Sequence, residues 1–125
     1  MLIAGHETTA NRFGLGTLLL LRHPDQFALV RDDLDPAHRW VEETLRYLST
    51  VHTGPLRRAT ADLTINGTAI SKGEQIAVSL PAANRDPHLL GEPDRFDVTR
   101  RPRAHTAFGH GIHQCLGQQL ARMEL

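Results

Sequence analysis

The sequence predicts a mainly α-helical fold with a small antiparallel β meander. Apolar residues recur at helical spacing over residues 1–50, and they alternate with polar residues on both sides of an Asn66-Gly67 pair. Residues 81–115 show neither pattern and carry four of the seven prolines. Leucine and methionine residues at helical spacing after residue 115 indicate the start of a final helix.

The first fifty residues predict three helices. One runs to about Leu21, because the proline of His23-Pro24 disfavours helical backbone at the residue before it. A short helix follows with Pro24 in its first turn. The third helix is expected to start after Asp35, with Pro36 near its first position. Its apolar stripe consists of Val41, Leu45 and Leu48.

The β meander is predicted over residues 55–80. Residues 63–65 alternate, Asn66-Gly67 supplies a hairpin turn, and a second turn falls at Lys72-Gly73 before the apolar run of residues 76–80. The irregular segment that follows is longer than most loops in compact domains, which is typical of functional or disordered loops.

Composition excludes several classes of protein. The 125 residues favour a single domain, and 14 basic against 14 acidic residues argue against binding to nucleic acid or to anionic membranes. One cysteine cannot form an intrachain disulfide. No apolar run reaches the roughly 20 residues that span a bilayer, and the first residues do not resemble a secretion signal. We therefore expect a cytoplasmic protein.

Both termini look incomplete. The chain opens on Leu2-Ile3-Ala4 without a capping residue, and it closes on helically spaced apolar residues without a terminating glycine. The expectation is that residues 1–125 form a partial domain that is truncated at both ends.

The strongest candidate for chemistry is Cys115. It lies just before a predicted helix, whose free N–H groups favour a thiolate. Gly109, Gly111 and Gly117 allow the backbone to approach a large flat group. This setting suits a metal ligand or a nucleophile, although Cys115 by itself also fits a small buried residue.

Glu43 and Arg46 share one face of the third helix. At this spacing an exposed pair contributes only about 0.2–0.5 kcal/mol. A buried pair would need a further polar partner to offset desolvation. Arg95, in the segment Pro93-Asp94-Arg95-Phe96, is the candidate for that partner.

The segment Ala4-Gly5-His6-Glu7-Thr8-Thr9 combines a glycine, an acid and hydroxyls within a predicted helix. Thr8 is able to bond back to a helix carbonyl and open the helix locally. Such a notch holds a small ligand and passes protons to it, whereas the alternative is a solvated helix end. Three further cations suit carboxylate groups or, alternatively, an ordinary charged surface: Arg57, Arg58 and His113.

In this order, these motifs resemble the C-terminal part of a cytochrome P450, a haem-thiolate monooxygenase. Phe108 is followed by glycine at 111, cysteine at 115 and glycine at 117, which is similar to the haem-binding signature of that family. The sequences of residues 4–9 and of residues 83–87 resemble those of the soluble bacterial class. The resemblance extends over nearly the whole chain. It implies that the chain contains these parts of the P450 fold in order: the distal helix end, the E-x-x-R helix, the β meander, the irregular loop, the Cys loop and the start of the final helix.

The resemblance also implies a role for each position. Cys115 becomes the proximal thiolate ligand of the iron of haem b, which favours O–O cleavage. Phe108 packs on the proximal side, where Gly109 and Gly117 permit a close approach. The haem propionates are assigned to His113 and Arg57, with the adjacent Arg58 as the alternative to Arg57.

On the distal side the resemblance implies that Glu7 and Thr8 relay protons and that Gly5 leaves room for dioxygen. It further implies that Glu43, Arg46 and Arg95 form a buried structural triad. The implied reaction inserts one oxygen atom of dioxygen into a small organic substrate, with electrons from a ferredoxin-type donor and its reductase. Residues 50–55 are assigned to the substrate pocket.

Two other interpretations remain open at this point. The chain is alternatively a truncated, non-catalytic fragment with weak or no haem binding. His110, His113 and Cys115 also have a spacing that would suit a zinc or redox site.

Overall fold

The computed structural model describes residues 2–52, 54–101 and 105–125. In these ranges the chain forms helices α1 (Leu2–Leu21), α2 (Pro24–Asp32), α3 (Leu34–Tyr47), α4 (Leu80–Ala83) and α5 (Gln118–Glu124). Four short strands lie between α3 and α4: β1 (Leu56–Arg58), β2 (Leu63–Ile65), β3 (Thr68–Ile70) and β4 (Gln75–Ala77). The mainly α-helical class with small antiparallel sheets is thus confirmed. Thr53 of the expected pocket segment and Pro102 of the irregular segment lie outside the described residues.

The first two helices form where the sequence predicts them. α1 ends at Leu21, two residues before His23, and Pro24 occupies the first turn of α2. The proline needs no backbone N–H at this position, because the first N–H groups of a helix have no partner within it.

Helix α3 begins earlier than predicted. It starts at Leu34 rather than after Asp35, because the Asp33 side chain caps the helix and accepts a hydrogen bond from the Asp35 N–H at 3.0 Å. Within the predicted apolar stripe Leu45 is buried. Leu48 lies just beyond the helix, with its N–H donating to the Thr44 carbonyl at 2.9 Å.

The strands form two separate two-stranded sheets instead of one meander. β2 pairs with β3 across the Asn66-Gly67 turn, as the sequence predicts. β4 pairs with β1, a strand that the alternation does not single out. The cause is a ladder that continues past both strands, since Ala59 exchanges hydrogen bonds with Gly73 and Glu74. The Asp62 carboxylate also accepts the Lys72 N–H at 2.7 Å and holds this second turn.

The core lies between α1, α2, α3 and the irregular segment. Leu20, Phe96 and Val98 are its buried centre. Partly buried side chains surround them: Leu19, Val30, Trp40 and Tyr47. The buried side chain of Gln26 in α2 accepts the Val98 N–H at 2.9 Å, so the irregular segment is ordered by side chains rather than by a ladder.

Several apolar side chains of α1 and of the last twenty residues face solvent. The most exposed are Ile3, Ile112, Leu116 and Met123. No helix in the described ranges is long and apolar enough to cross a membrane.

Gly54 provides a test of the junction between α3 and β1. A Cβ atom at Gly54 would lie 1.5 Å from the Val78 carbonyl oxygen, next to the point where the Val78 N–H bonds Pro55. Gly54→Ala should therefore lower the free energy of unfolding by roughly 1–3 kcal/mol in urea denaturation.

Gly91→Ala is the matched control, because a Cβ atom there meets no heavy atom within 4 Å. Equal unfolding free energies for the two variants would contradict this account of the junction.

Candidate functional site

Glu43 and Arg46 form a buried bidentate ion pair on α3. Arg46 donates from Nε to Glu43 Oε2 at 2.8 Å and from Nη2 to Oε1 at 2.7 Å. The Arg46 side chain is 5% exposed and the Glu43 side chain is 2% exposed. The two parallel hydrogen bonds offset the cost of removing both charges from water. An exposed E-x-x-R pair would not need them.

Arg46 also ties α3 to the irregular segment. Its guanidinium donates to three backbone carbonyls, at 3.0, 2.8 and 3.2 Å, belonging to Asn84, Pro93 and Arg95. The pair is therefore embedded in a polar network that joins three parts of the chain.

Arg100, rather than Arg95, is the second cation beside Glu43. Arg100 Nε lies 3.5 Å from Glu43 Oε1, and that oxygen also accepts the Asp97 N–H at 3.1 Å. The Arg95 side chain is exposed and pairs with Glu92 at 3.2 Å, so only its backbone contacts Arg46. The expectation that the Arg95 side chain completes a buried triad with Glu43 and Arg46 is therefore wrong. Arg100 lies five residues further on, and the sequence carries no signal that separates the two arginines.

The Cys loop, residues 106–117, is closed by backbone hydrogen bonds. The Cys115 N–H donates to the Phe108 carbonyl at 2.9 Å, and the Gly109 N–H donates to the Thr106 carbonyl at 2.8 Å. Gly109 and Gly111 both have φ of +71°, a conformation that favours glycine. Their spacing in the sequence is therefore explained by the turn geometry of the loop.

The thiol of Cys115 is exposed at the end of this loop. Gly117 caps α5, and an added Cβ atom there would lie 4.0 Å from Cys115 Sγ. Ile112 and Leu116 are 96% and 91% exposed. The exposed thiol and these two exposed apolar side chains belong to the same loop, and this combination suits a large flat apolar group.

The zinc interpretation fails on geometry. His110, His113 and Cys115 are all among the described residues and all are exposed. In the described ranges no three His, Cys, Asp or Glu side chains converge so that they could hold a metal ion.

The predicted notch near the start of α1 remains helical. Thr8 Oγ1 donates to the Ala4 carbonyl at 2.6 Å, as predicted, but the helix is continuous through this turn. Glu7 is exposed, and open space surrounds the position where Gly5 would carry a Cβ atom. Glu7, Thr8 and the Gly5 backbone therefore share one accessible helix end.

Arg57 lies at the centre of β1, opposite Ile76. Its guanidinium donates to the neighbouring Leu56 carbonyl at 3.1 Å, whereas Arg58 donates to the Gly73 carbonyl at 2.6 Å across the sheet. Because strand neighbours point to opposite faces, Arg57 and Arg58 serve different surfaces. The cross-sheet bond occupies Arg58 and favours Arg57 as the cation that is available to a ligand.

Arg12 is a buried polar residue that the sequence motifs did not predict. It is buried on α1, one turn after Thr8, and donates to the Thr44 carbonyl at 2.7 Å, to the Leu48 carbonyl and to Thr50 Oγ1 at 3.2 Å. Burial lowers the pKa of Arg12 to about 10. The carbonyl end of α3 compensates the charge. The available signal was that Arg12 is the one lysine or arginine in the sequence of α1.

A second ionic cluster surrounds Glu42. His105 Nε2 lies 3.0 Å from Glu42 Oε2, and Arg122 Nε donates to Glu42 Oε1 at 2.5 Å. The hydrogen bond from His105, reinforced by Arg122, lowers the pKa of Glu42 to about 2 against the opposing effect of burial.

Comparison with known proteins identifies the family. The family model for cytochrome P450 matches residues 1–125. Cytochrome P450 105C1 of a Streptomyces species is 56% identical over 125 residues, which is the whole of this chain and 33% of that protein. Vitamin D(3) 25-hydroxylase of Pseudonocardia autotrophica is 50% identical over 124 residues, which covers 99% of this chain and 31% of that protein.

A solved structure agrees with the match to the cytochrome P450 family. The crystal structure of CYP105P1 in complex with filipin I superposes with a TM-score of 0.94 at 54% identity, covering 98% of this chain and 31% of that one. The chain belongs to the cytochrome P450 family, whose members bind haem b. It spans about a third of the length of the relatives it matches.

The buried ion pair predicts a large effect of Arg46→Met. This change leaves the Glu43 carboxylate buried without its bidentate partner, so the free energy of unfolding should fall by about 3–5 kcal/mol in urea denaturation. Arg31→Met, which breaks the exposed pair with Asp32, is the matched control and should have little effect. Similar losses in both variants would show that burial does not set the strength of the pair.

The pKa of Glu42 predicts a dependence of stability on pH. Because the folded pKa of about 2 lies below the ordinary 4.5, the stabilisation by Glu42 is complete above pH 4.5 and is lost as the pH falls towards 2. In urea denaturation, the difference in unfolding free energy between the wild type and Glu42→Gln should shrink over this range. A constant difference would contradict the assigned pKa.

Proposed function

We propose that this chain carries the haem-ligating and proton-handling residues of a monooxygenase, which inserts one atom of dioxygen into a C–H bond of a small organic substrate. The exposed Cys115 thiol on the glycine-rich loop carries this proposal. Membership of the cytochrome P450 family supports it, as does the name of the 25-hydroxylase relative. Because the chain spans a third of its relatives, the proposed activity belongs to a longer protein.

The residues around Cys115 fit a haem. The Cys115 thiol is exposed, the Cys115 N–H is already bonded to the Phe108 carbonyl, and Ile112 and Leu116 of the same loop are exposed. Apolar side chains cover a macrocycle face, and a thiolate is a strong iron ligand. When bound, haem with a thiolate ligand supplies the activation of dioxygen.

The chain's other residues divide the remaining tasks. Arg57 and His113 are proposed to bind the propionates, since cations match carboxylates. Phe108, Gly109 and Gly117 shape the loop that holds the thiolate.

On the distal side we assign proton transfer to Glu7 and Thr8. Thr8 Oγ1 donates its hydrogen to the Ala4 carbonyl and its lone pairs can accept a hydrogen bond, so a relay through Thr8 requires the hydroxyl to turn from Ala4 and donate onward while it accepts a hydrogen from a donor beside it. The Glu7 carboxylate lies beside it on the exposed helix end and can exchange protons with solvent. Gly5 leaves space for a diatomic ligand.

The electron donor and the position of the substrate complete the proposal. We propose a ferredoxin-type donor with its reductase, in keeping with the resemblance to the bacterial class. Ser49, Thr50 and Val51 line a depression beside Arg12, and we assign them to the substrate side.

The test is a carbon monoxide difference spectrum of the reduced chain after haem is added. A red-shifted Soret band typical of thiolate-ligated haem is expected for the wild type, and Cys115→Ser should abolish it. His110→Ser, at another exposed position of the loop, is the matched control and should retain the band. A band of histidine-ligated haem, or none, would favour the alternative of a non-catalytic fragment with weak or no haem binding.

A further inference from the structure

Both flanks of the Cys loop are joined to one carboxylate on α3. His105, which immediately precedes the loop, contacts Glu42 Oε2 at 3.0 Å. Arg122, on α5 after the loop, donates to Glu42 Oε1 at 2.5 Å and to Oε2 at 3.3 Å. We call Glu42, His105 and Arg122 the Glu42 clamp. Since the clamp bridges the two ends of the loop, it restricts how far they can separate.

The clamp also reaches the interior of the loop. The guanidinium carbon of Arg122 lies 4.7 Å from the centroid of the Phe108 ring, within the range of a cation–π interaction. The His105 ring lies 6.0 Å from the same ring. Because the Phe108 carbonyl accepts the Cys115 N–H, a continuous path of contacts leads from Glu42 to the thiol-bearing residue.

Burial strengthens these contacts. The His105 side chain is 4% exposed, and the side chains of Glu42 and Arg122 are 24% and 29% exposed. Hydrogen bonds to an ionised carboxylate are stronger than those between neutral groups, and partial burial shields them from water and salt. The low pKa of Glu42 keeps its carboxylate ionised at neutral and mildly acidic pH.

The rest of the loop has few comparable supports. Thr106 bonds the Asn84 side chain at 2.7 Å, which holds only the start of the loop. Beyond it Ile112 and Leu116 project into solvent. The clamp is therefore the set of contacts that connects the thiol-bearing end of the loop to α3.

We propose that Glu42 is a positioning residue which, through His105 and Arg122, holds the Cys loop at a set distance from α3. Its consequence for haem ligation rests on the function proposed above. The role is separate from that of the neighbouring Glu43, which bonds Arg46 and the irregular segment instead.

Hydrogen exchange of the haem-free 125-residue chain tests the clamp directly. Glu42→Gln should accelerate amide exchange at Gly109 and Cys115 by roughly tenfold or more, as expected for the loss of hydrogen bonds to a charged carboxylate. The β2–β3 hairpin should exchange as in the wild type. Glu124→Gln, an exposed position on α5, is the matched control and should leave the loop unchanged.

Two results would overturn the proposal. One is unchanged exchange in the loop of Glu42→Gln, and the other is an equal acceleration in the hairpin, which would indicate general destabilisation. If Glu42→Gln does not fold, the more exposed Arg122→Gln decides by the same comparison. Acceleration confined to the loop supports the clamp, and either of the other two patterns overturns it.

A haem readout extends the test to ligation. With haem and carbon monoxide added, Glu42→Gln should show a weaker thiolate band than the wild type, while Glu124→Gln should match the wild type. A band of full strength in Glu42→Gln would overturn the positioning of the ligand. Absence of the band from the wild type itself would count against the proposed function, whereas the exchange experiment on the haem-free chain still decides the clamp.

Discussion

The buried ion pair between Glu43 and Arg46 is the interaction on which the rest of the structure depends. Removing two charges from water is costly, so the pair is stable only with its full set of hydrogen bonds. The carboxylate obtains them from Arg46 and the Asp97 N–H, and the guanidinium donates to three carbonyls of the irregular segment. The irregular segment is therefore ordered without a strand ladder, because its carbonyls complete the solvation of a buried cation.

Two neighbouring glutamates on α3 organise different parts of the chain. Glu43 accepts a hydrogen bond from Asp97 of the irregular segment, whereas Glu42 contacts His105, just before the Cys loop, and Arg122 of α5. Adjacent residues on a helix diverge by about 100°, which allows one helix to hold both elements without competition. Arg12 adds a third attachment at the carbonyl end of α3, so the α3 helix is joined to α1 as well.

The loop that carries the thiol combines a fixed backbone with exposed side chains. Positive φ angles at Gly109 and Gly111, and the bond from Cys115 to Phe108, set its path. Ile112 and Leu116 of the same loop remain exposed. A loop with a fixed backbone and exposed apolar side chains is compatible with the haem site proposed above.

The sequence by itself determined the features that local chemistry controls. Proline and the Asn66-Gly67 pair placed helix starts and the hairpin turn, because they restrict their own backbone angles. The spacing of Phe108, the glycines and Cys115, taken in order with the other motifs, predicted the family. Only the tertiary structure decided which distant groups meet: β4 with β1, Arg100 with Glu43, and Arg122 with Glu42. These pairings depend on how separate segments pack in space, and a charged residue carries no local mark of the partner that it will contact.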